Sequence, residues 1–151
     1  MTQLVLCLDP GGTTGYAYGE IADDVFRYRG AGQSRLRGAG LWGMLESVSP
    51  AFLIAESFES RQGIVGVELV SRNLLGVCQL WAEVRDTNYS EQSPGEGKGF
   101  YADAKLQKMG VWIPGNVHAN DASRHLLHWA TFKEGSRWLG DNARPLIDLN
   151  D

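Results

Sequence analysis

The feature that most restricts the fold is the apolar run LVLCL at residues 4–8, because Asp9, Pro10 and two glycines follow it directly. A short apolar run that is rich in branched side chains and stops at proline and glycine predicts a buried β-strand. The strand therefore ends on a carboxylate. An ionised group at such a position needs a cation or a hydrogen-bonding partner, since an unpaired charge is costly in a site of low dielectric constant. A turn aspartate that simply ends the strand is an equal alternative.

The next segments alternate between strand and helix patterns. After a GGTT turn, residues 15–19 (GYAYG) and 23–30 (DDVFRYRG) predict two strands, which complete an antiparallel meander of three. Residues 41–48 (LWGMLESV) predict a helix that is closed by Pro50. Residues 51–58 (AFLIAESF) predict a central strand that is buried on both faces.

The second half of the chain is predicted to be mostly helical. A 3.6-residue apolar period predicts the longest helix over residues 66–84, and residues 87–92 (TNYSEQ) predict a short edge strand. Residues 93–101 (SPGEGKGFY) are interpreted as a glycine-rich loop. A short helix that ends at Gly110 is followed by a last helix over residues 118–132.

These elements predict one α/β domain over residues 1–134 and a polar, flexible tail over residues 135–151. The domain is expected to contain a mixed five-stranded sheet, in which the three-strand antiparallel meander is joined by parallel strands and flanked by helices. The sequence shows no signal-peptide pattern and no apolar run long enough for a membrane span. Together with the two separated cysteines, Cys7 and Cys78, these features predict an intracellular, cytoplasmic protein with free thiols.

A second acidic residue, Glu56, interrupts the apolar run of the predicted central strand. A glutamate in that setting is almost never fully buried without a cation or a partner. Glu59 competes with it, but the two side chains are expected on opposite faces of the strand because they are three residues apart. Glu56 is preferred because it lies nearer the apolar centre. Taken alone, an ordinary salt bridge at a strand end explains Glu56 better than a functional site does.

The last predicted helix contains the segment HANDASRH, residues 118–125. His118 and Asp121 are three residues apart and share a face, and Arg124 and His125 follow one turn later. Such a face could hold a metal ion and a phosphate. A zinc site formed by His118, Asp121 and His125 is conceivable, although the spacing matches no strong zinc pattern. A solvated polar face is the simpler alternative.

Asp9, Glu56 and Asp121 together predict a metal site more specifically than any one of them does alone. Carboxylates at the ends of two strands and on a helix can meet at one edge of a mixed sheet, where they repel one another unless divalent cations hold them. Hard oxygen ligands suit Mg²⁺ or Mn²⁺. A pair of such ions would activate a water molecule and stabilise the leaving oxygen in phosphodiester hydrolysis. The combination therefore predicts a metal-dependent nuclease.

Three segments resemble motifs of the RuvC-like Holliday junction resolvases, which belong to the RNase H-like superfamily. LCLDPGGTTGYAYG is similar to their first motif and LIAESF to their second. HANDASRH resembles the C-terminal helix motif in the form H-x-x-D-A-x-R-H, which is associated with phage-encoded members. The resemblance covers residues 4–130. It implies an RNase H-like fold and a homodimeric endonuclease that resolves four-way DNA junctions by paired nicks, in DNA recombination or phage DNA processing.

The resemblance also implies roles for individual residues. Asp9, Glu56, His118 and Asp121 take the positions of the catalytic residues and metal ligands, which implies Mg²⁺ or Mn²⁺, two ions in each active site. His118 stands where many members have an acidic residue. Because histidine titrates near neutrality, it could tune the protonation of the attacking water or of the leaving group. For a phage-encoded member, the predicted location is the cytoplasm of the host cell.

The DNA contacts follow less directly from the sequence. Arg124, Lys98 and Lys105 are predicted to contact DNA phosphates, although only Arg124 belongs to a motif and a plain solvated charge is the simpler alternative for the two lysines. Either Phe100 or Tyr101 could stack on bases at a branch point, with a core aromatic as the equal alternative. A formal net charge of −4 is unusual for a DNA-binding protein. Such a chain can bind DNA if its carboxylates bind cations and its basic residues gather on one face.

Two other functions compete with the nuclease. DPGGTTG also resembles a phosphate-binding loop of sugar-kinase and actin-like nucleotide binders, but those proteins need two such domains and this chain is long enough for one. The second alternative is a catalytically inactive RNase H-like module that binds nucleic acid or a partner. The joint presence of Asp9, Glu56 and Asp121 favours the enzyme over that module.

Overall fold

A single central sheet organises the described part of the chain. A computed structural model describes residues 1–23, 25–58, 67–132 and 146–147. The strands are β1 (Gln3–Asp9), β2 (Thr14–Ala22), β3 (Val25–Ser34), β4 (Phe52–Glu56), β5 (Asn88–Gln92) and β6 (Leu146–Ile147). The helices are α1 (Gly38–Val48), α2 (Val67–Arg85), α3 (Pro94–Phe100), α4 (Asp103–Met109) and α5 (Val117–Phe132).

The sheet has the order β5-β4-β1-β2-β3-β6. β1 pairs antiparallel with β2, which pairs antiparallel with β3, and β4 runs parallel to both β1 and β5. The predicted mixed sheet of a three-strand meander and parallel strands is therefore confirmed. The two-residue strand β6 adds a sixth strand, parallel to β3. Apart from β6, the predicted tail at residues 135–151 lies outside the described residues.

Successive residues of the central strands supply two hydrophobic cores, one on each face of the sheet. Val5 and Cys7 belong to the core that packs under α5, whereas Leu6 and Leu8 belong to the core under α1 and α2. This alternation follows from the two-residue period of a strand. The two predicted free thiols, Cys7 and Cys78, are both unpaired and lie in opposite cores.

The aromatic ring of Trp129 contributes to the contact between α5 and the sheet. Its ring centroid lies 5.3 Å from that of Phe52 on β4 and 6.3 Å from that of Phe26 on β3. Contacts of this kind between aromatic rings add to the free energy gained by burying their surface. Because Trp129 is also almost completely buried, α5 is fixed across several strands.

The glycine-rich segment at residues 93–101 was predicted to be a loop, and that prediction is wrong. Residues Pro94–Phe100 form the helix α3. Pro94 occupies the first turn, and the Glu96 carboxylate accepts a hydrogen bond of 3.3 Å from the backbone N–H of Ser93. Serine followed three residues later by glutamate is a start signal that outweighs the low helix propensity of glycine here.

The remaining element predictions agree with the structure to within a few residues. α1 begins at Gly38, three residues before the predicted start, and α2 covers nearly the predicted range. β5 is an edge strand, and α4 is followed by Gly110 in the left-handed conformation. Across the described residues, no helix is both long and apolar enough to cross a lipid bilayer.

Candidate active site

Three carboxylates meet where β1 and β4 end. Asp9 is the last residue of β1 and Glu56 is the last residue of β4, and these strands are parallel neighbours. Asp9 lies two residues after Cys7 and Glu56 lies two residues after Ile54. Since residues two apart on a strand share a face, both carboxylates point to the face that α5 covers. Asp121, in the first turns of α5, completes the group.

The three groups are close enough to share a ligand. One carboxylate oxygen of Asp9, one of Glu56 and one of Asp121 all lie within 4.8 Å of one another, and all three residues are partly buried. Within the described ranges, this is the one group of acidic, histidine or cysteine residues with that geometry. The convergence predicted from the sequence is therefore present.

The electrostatics of the group fit a divalent cation. Burial, followed by the negative charges of Glu56 and Asp121, raises the pKa of Asp9 from 3.8 to about 8. Burial alone would also raise the pKa of Glu56, but hydrogen bonding and the charge of His125, together with a hydrogen bond from Asp9, lower it below 4.5. Asp9 therefore retains a proton at neutral pH unless a cation takes its place. Three carboxylate oxygens are the hard ligands that Mg²⁺ and Mn²⁺ prefer.

The raised pKa of Asp9 predicts a stability change in the metal-free protein. The pKa of Asp9 in the folded protein lies above its value in the unfolded chain. The contribution of Asp9 to the free energy of unfolding is therefore complete below about pH 3.8 and is lost as the pH rises towards 8. We expect Asp9→Asn to stabilise the protein in EDTA at pH 7 by on the order of 1–3 kcal/mol. Melting curves between pH 4 and 8 measure this, with Asp23→Asn as an exposed control. Equal melting temperatures for wild type and Asp9→Asn at pH 7 would contradict the expectation.

His118 contacts the group from its rim. Its Nδ1 lies 3.1 Å from Asp9 Oδ2, and its side chain is 44% exposed. The backbone of His118 also packs directly on Gly15 of β2, where an added Cβ would lie only 1.9 Å from the His118 carbonyl oxygen. The missing side chain at Gly15 therefore allows the first turn of α5 to reach the sheet, and this approach brings both His118 and Asp121 to the strand ends.

Arg124 is turned inwards. Its guanidinium donates hydrogen bonds to Asp121 Oδ1 at 3.0 Å, to the Tyr101 carbonyl at 2.7 Å and to Asp103 Oδ1 at 2.7 Å. The side chain is only 5% exposed. Three of the five guanidinium N–H groups thus have partners inside the protein, and one of them holds Asp121 in place. The phosphate contact of Arg124 stays a prediction.

His125 is the residue whose role the sequence did not reveal. Its Nε2 lies 3.2 Å from Glu56 Oε2, and its Nδ1 lies 2.8 Å from Gln92 Oε1. His118 and His125 thus contact different carboxylates, and the conceivable zinc set with Asp121 is not brought together as one group among the described residues. The sequence showed only that His125 follows Arg124 on the helix.

Lys98 is the predicted DNA contact with the clearest relation to the site. Its positive charge lowers the pKa of both Asp9 and Glu56, so it lies near the carboxylates. It also lines a surface cleft of about 530 Å³ next to Asp121, with Trp112 among the other walls.

Lys105 and the two aromatic residues of the same region lie on α3, α4 and the link between them. The Lys105 Nζ lies 3.1 Å above the centre of the Phe100 ring. Tyr101 is buried and its hydroxyl contacts Thr131 Oγ1 at 2.6 Å, so it cannot stack on a base without leaving the core. Phe100, which is 43% exposed, is the member of the pair that DNA could reach.

Comparisons with known proteins identify the fold of this chain. No family model and no curated protein matches the sequence. Thermus thermophilus RuvC, solved in complex with a Holliday junction substrate, superimposes with a TM-score of 0.64 at 15% identity, over 84% of this chain and 92% of that one. This chain has the RuvC fold.

Two further solved structures support that assignment. The yeast mitochondrial Holliday junction resolvase Ydc2 matches with a TM-score of 0.57 at 14% identity, over 89% of this chain and 78% of that one. The fowlpox virus Holliday junction resolvase matches with a TM-score of 0.55 at 12% identity, over 82% of this chain and 95% of that one. The predicted RNase H-like, RuvC-like fold is confirmed.

Proposed function

We propose that this protein is a metal-dependent endonuclease that acts on branched DNA, with four-way junctions as its preferred substrate and paired nicks as its product. The observation that carries the proposal is the group of Asp9, Glu56 and Asp121 at the strand ends of a RuvC fold. A binding module would gain nothing from three mutually repelling, partly buried carboxylates, because their repulsion only costs stability.

The carboxylates would hold Mg²⁺ or Mn²⁺, in the two-ion arrangement that the resemblance implies. When bound, such ions lower the pKa of a water molecule and neutralise charge on the phosphate. Asp9, Glu56 and Asp121 would hold the ions in a defined position, because two of these residues lie on strands and the third lies on a helix. Their partial burial excludes bulk water, which strengthens each electrostatic contact within the site.

His118 is placed to move a proton. Its Nδ1 is engaged by Asp9, so Nε2 is the ring atom available to the substrate, and the exposed position of the side chain leaves it accessible. An imidazole can take a proton from the attacking water or give one to the leaving oxygen at neutral pH. Lys98, whose charge acts on the same carboxylates and which lines the cleft next to Asp121, is a suitable partner for the scissile phosphate.

The test of the proposed function is cleavage of labelled DNA. We expect nicks in a four-way junction in the presence of Mg²⁺ or Mn²⁺, weaker cleavage of a fork and little cleavage of a linear duplex of the same sequence. EDTA should abolish the reaction. If wild type cleaves none of the three substrates with either metal, the endonuclease proposal is wrong and a nucleic-acid-binding module becomes the better explanation.

The proposal includes a homodimer, and α2 offers a surface for it. Leu69, Leu80 and Val84 are each more than half exposed and recur at helical spacing along this helix. Gly76 lies between them on the same stripe, where an added Cβ would meet no atom within 4 Å. A second copy of the chain could cover this face, because exposed apolar stripes are stabilised by burial against a partner.

Leu80→Glu tests the dimer. We expect the variant to sediment as a monomer while wild type sediments as a dimer, because a carboxylate at the centre of an apolar interface would be desolvated without a partner. Leu80→Met keeps the apolar contact and should remain dimeric. A dimer that persists in Leu80→Glu would place the interface elsewhere, whereas monomeric wild type would remove the dimer from the proposal.

A further inference from the structure

We propose that His125 and Gln92 form a positioning pair that holds the Glu56 carboxylate in the orientation needed to bind a metal ion. The inference rests on the proposed function, since it assigns outer partners to one of the proposed metal ligands. Neither residue has to touch DNA or the metal. Their contribution is transmitted through one hydrogen bond, between His125 Nε2 and Glu56 Oε2.

The side chain of Gln92 sets the orientation of the His125 ring. Gln92 closes β5 in parallel register with Glu56, and its side chain is almost completely buried. Its Nε2 donates a hydrogen bond of 3.1 Å to the backbone carbonyl of His125. The amide oxygen is thereby turned towards the imidazole, and because an amide oxygen can only accept, His125 Nδ1 donates the 2.8 Å hydrogen bond between them.

The other ring nitrogen then has one partner, the Glu56 carboxylate. The Nε2 atom lies 3.2 Å from Glu56 Oε2, which is the distance of a direct polar contact. A carboxylate with one oxygen held in this way has a restricted rotation, so its position relative to Asp9 and Asp121 is defined.

The surroundings of His125 hold the ring itself in place. It is 1% exposed and is followed on the helix by two fully buried leucines, Leu126 and Leu127. Gly97 of α3 covers it so closely that an added Cβ would lie 3.2 Å from the ring atoms Cε1 and Nδ1. An apolar side chain would fill such a space at a lower desolvation cost. The structural consequence of having histidine here is therefore the oriented Glu56 carboxylate rather than a gain in stability.

The experiment measures Mn²⁺ binding to the full chain by titration calorimetry in the absence of DNA. His125→Phe keeps a ring but removes both hydrogen bonds, Gln92→Leu removes only the support of the ring, and His125→Gln retains a donor that can reach Glu56. His128→Phe is the matched control, since it makes the same substitution one turn along α5. Melting curves in EDTA show whether each variant is folded.

We expect His125→Phe and Gln92→Leu to weaken Mn²⁺ binding by about 10- to 100-fold, the usual effect of removing an outer partner of a metal ligand. The double variant should bind no more weakly than His125→Phe, because Gln92 acts only through His125. His125→Gln should recover most of the affinity, and His128→Phe should bind like wild type.

Three outcomes separate the explanations. Wild-type Mn²⁺ affinity in a folded His125→Phe protein would overturn the positioning role while leaving the nuclease proposal intact. The same conclusion would follow if the losses of affinity from His125→Phe and Gln92→Leu added together in the double variant. If His125→Phe does not fold, unchanged affinity in Gln92→Leu would overturn it equally well. A wild-type protein that binds no Mn²⁺ would instead overturn the metal-dependent function on which the inference rests.

Discussion

Asp9→Asn should reduce cleavage of a four-way junction by roughly three orders of magnitude or more, the scale on which the loss of an essential active-site group acts. Asparagine has nearly the same shape and can still accept the hydrogen bond from His118, but it removes the negative charge at the centre of the group. The expected loss is therefore chemical rather than structural. Initial rates with Mg²⁺ and with Mn²⁺, at equal protein concentration, measure it.

The same variant should still bind the junction. Because the raised pKa of Asp9 leaves it protonated at neutral pH without metal, its replacement by asparagine changes no charge that a phosphate would meet. A gel-shift titration in EDTA should give the same affinity for wild type and variant. Asp23→Asn provides the control for removal of an acidic side chain elsewhere. Full activity in Asp9→Asn would mean that the site is assigned incorrectly, and loss of junction binding would mean that the variant is misfolded.

Gly15→Ala should reduce junction cleavage by about 100-fold or more, because it displaces two proposed active-site residues at once. The new Cβ would lie 1.9 Å from the carbonyl oxygen and 2.2 Å from the carbonyl carbon of His118. Both atoms belong to the backbone, so no side-chain rotation relieves the overlap and the first turn of α5 must move. A displacement of about 1 Å is sufficient to cost two orders of magnitude in rate.

Gly12→Ala is the matched control for this prediction. It adds the same methyl group in the same glycine-rich segment, where it would meet no atom within 4 Å. We expect its cleavage rate to remain within a few-fold of wild type. Circular dichroism and Mn²⁺ titration should show that Gly15→Ala is folded but binds metal weakly. Equal rates for the two variants would show that the contact between β2 and α5 does not determine the site.

The placement of Asp9 and Glu56 could be predicted because it depends on local patterns. A strand boundary is visible as an apolar run that stops at polar or glycine residues, and the two-residue period of a strand decides the face of each side chain. Parallel neighbours end at the same edge, so two such carboxylates come together once the strand order is known. Asp121 follows from the helical period in the same way.

The surroundings of Arg124 could not be predicted in this way. Helical spacing correctly placed it one turn from Asp121, and its charge suggested a phosphate contact. Whether that side of α5 is open or covered depends on the link that follows α3 and on the start of α4, which supply the Tyr101 carbonyl and Asp103 as partners. Since the segment of α3 was interpreted as a loop, the cover over Arg124 could not be anticipated.

The sequence by itself determined the strand ends, the carboxylates that occupy them and the helix that brings the third, because each depends on residues that are neighbours in the chain. Only the tertiary structure decided which groups surround those carboxylates. The contacts of His125 with Glu56 and Gln92 join a helix to two strands that are distant in sequence. Their physical origin is the burial of polar groups, each of which must find a hydrogen-bonding partner wherever the packed elements present one.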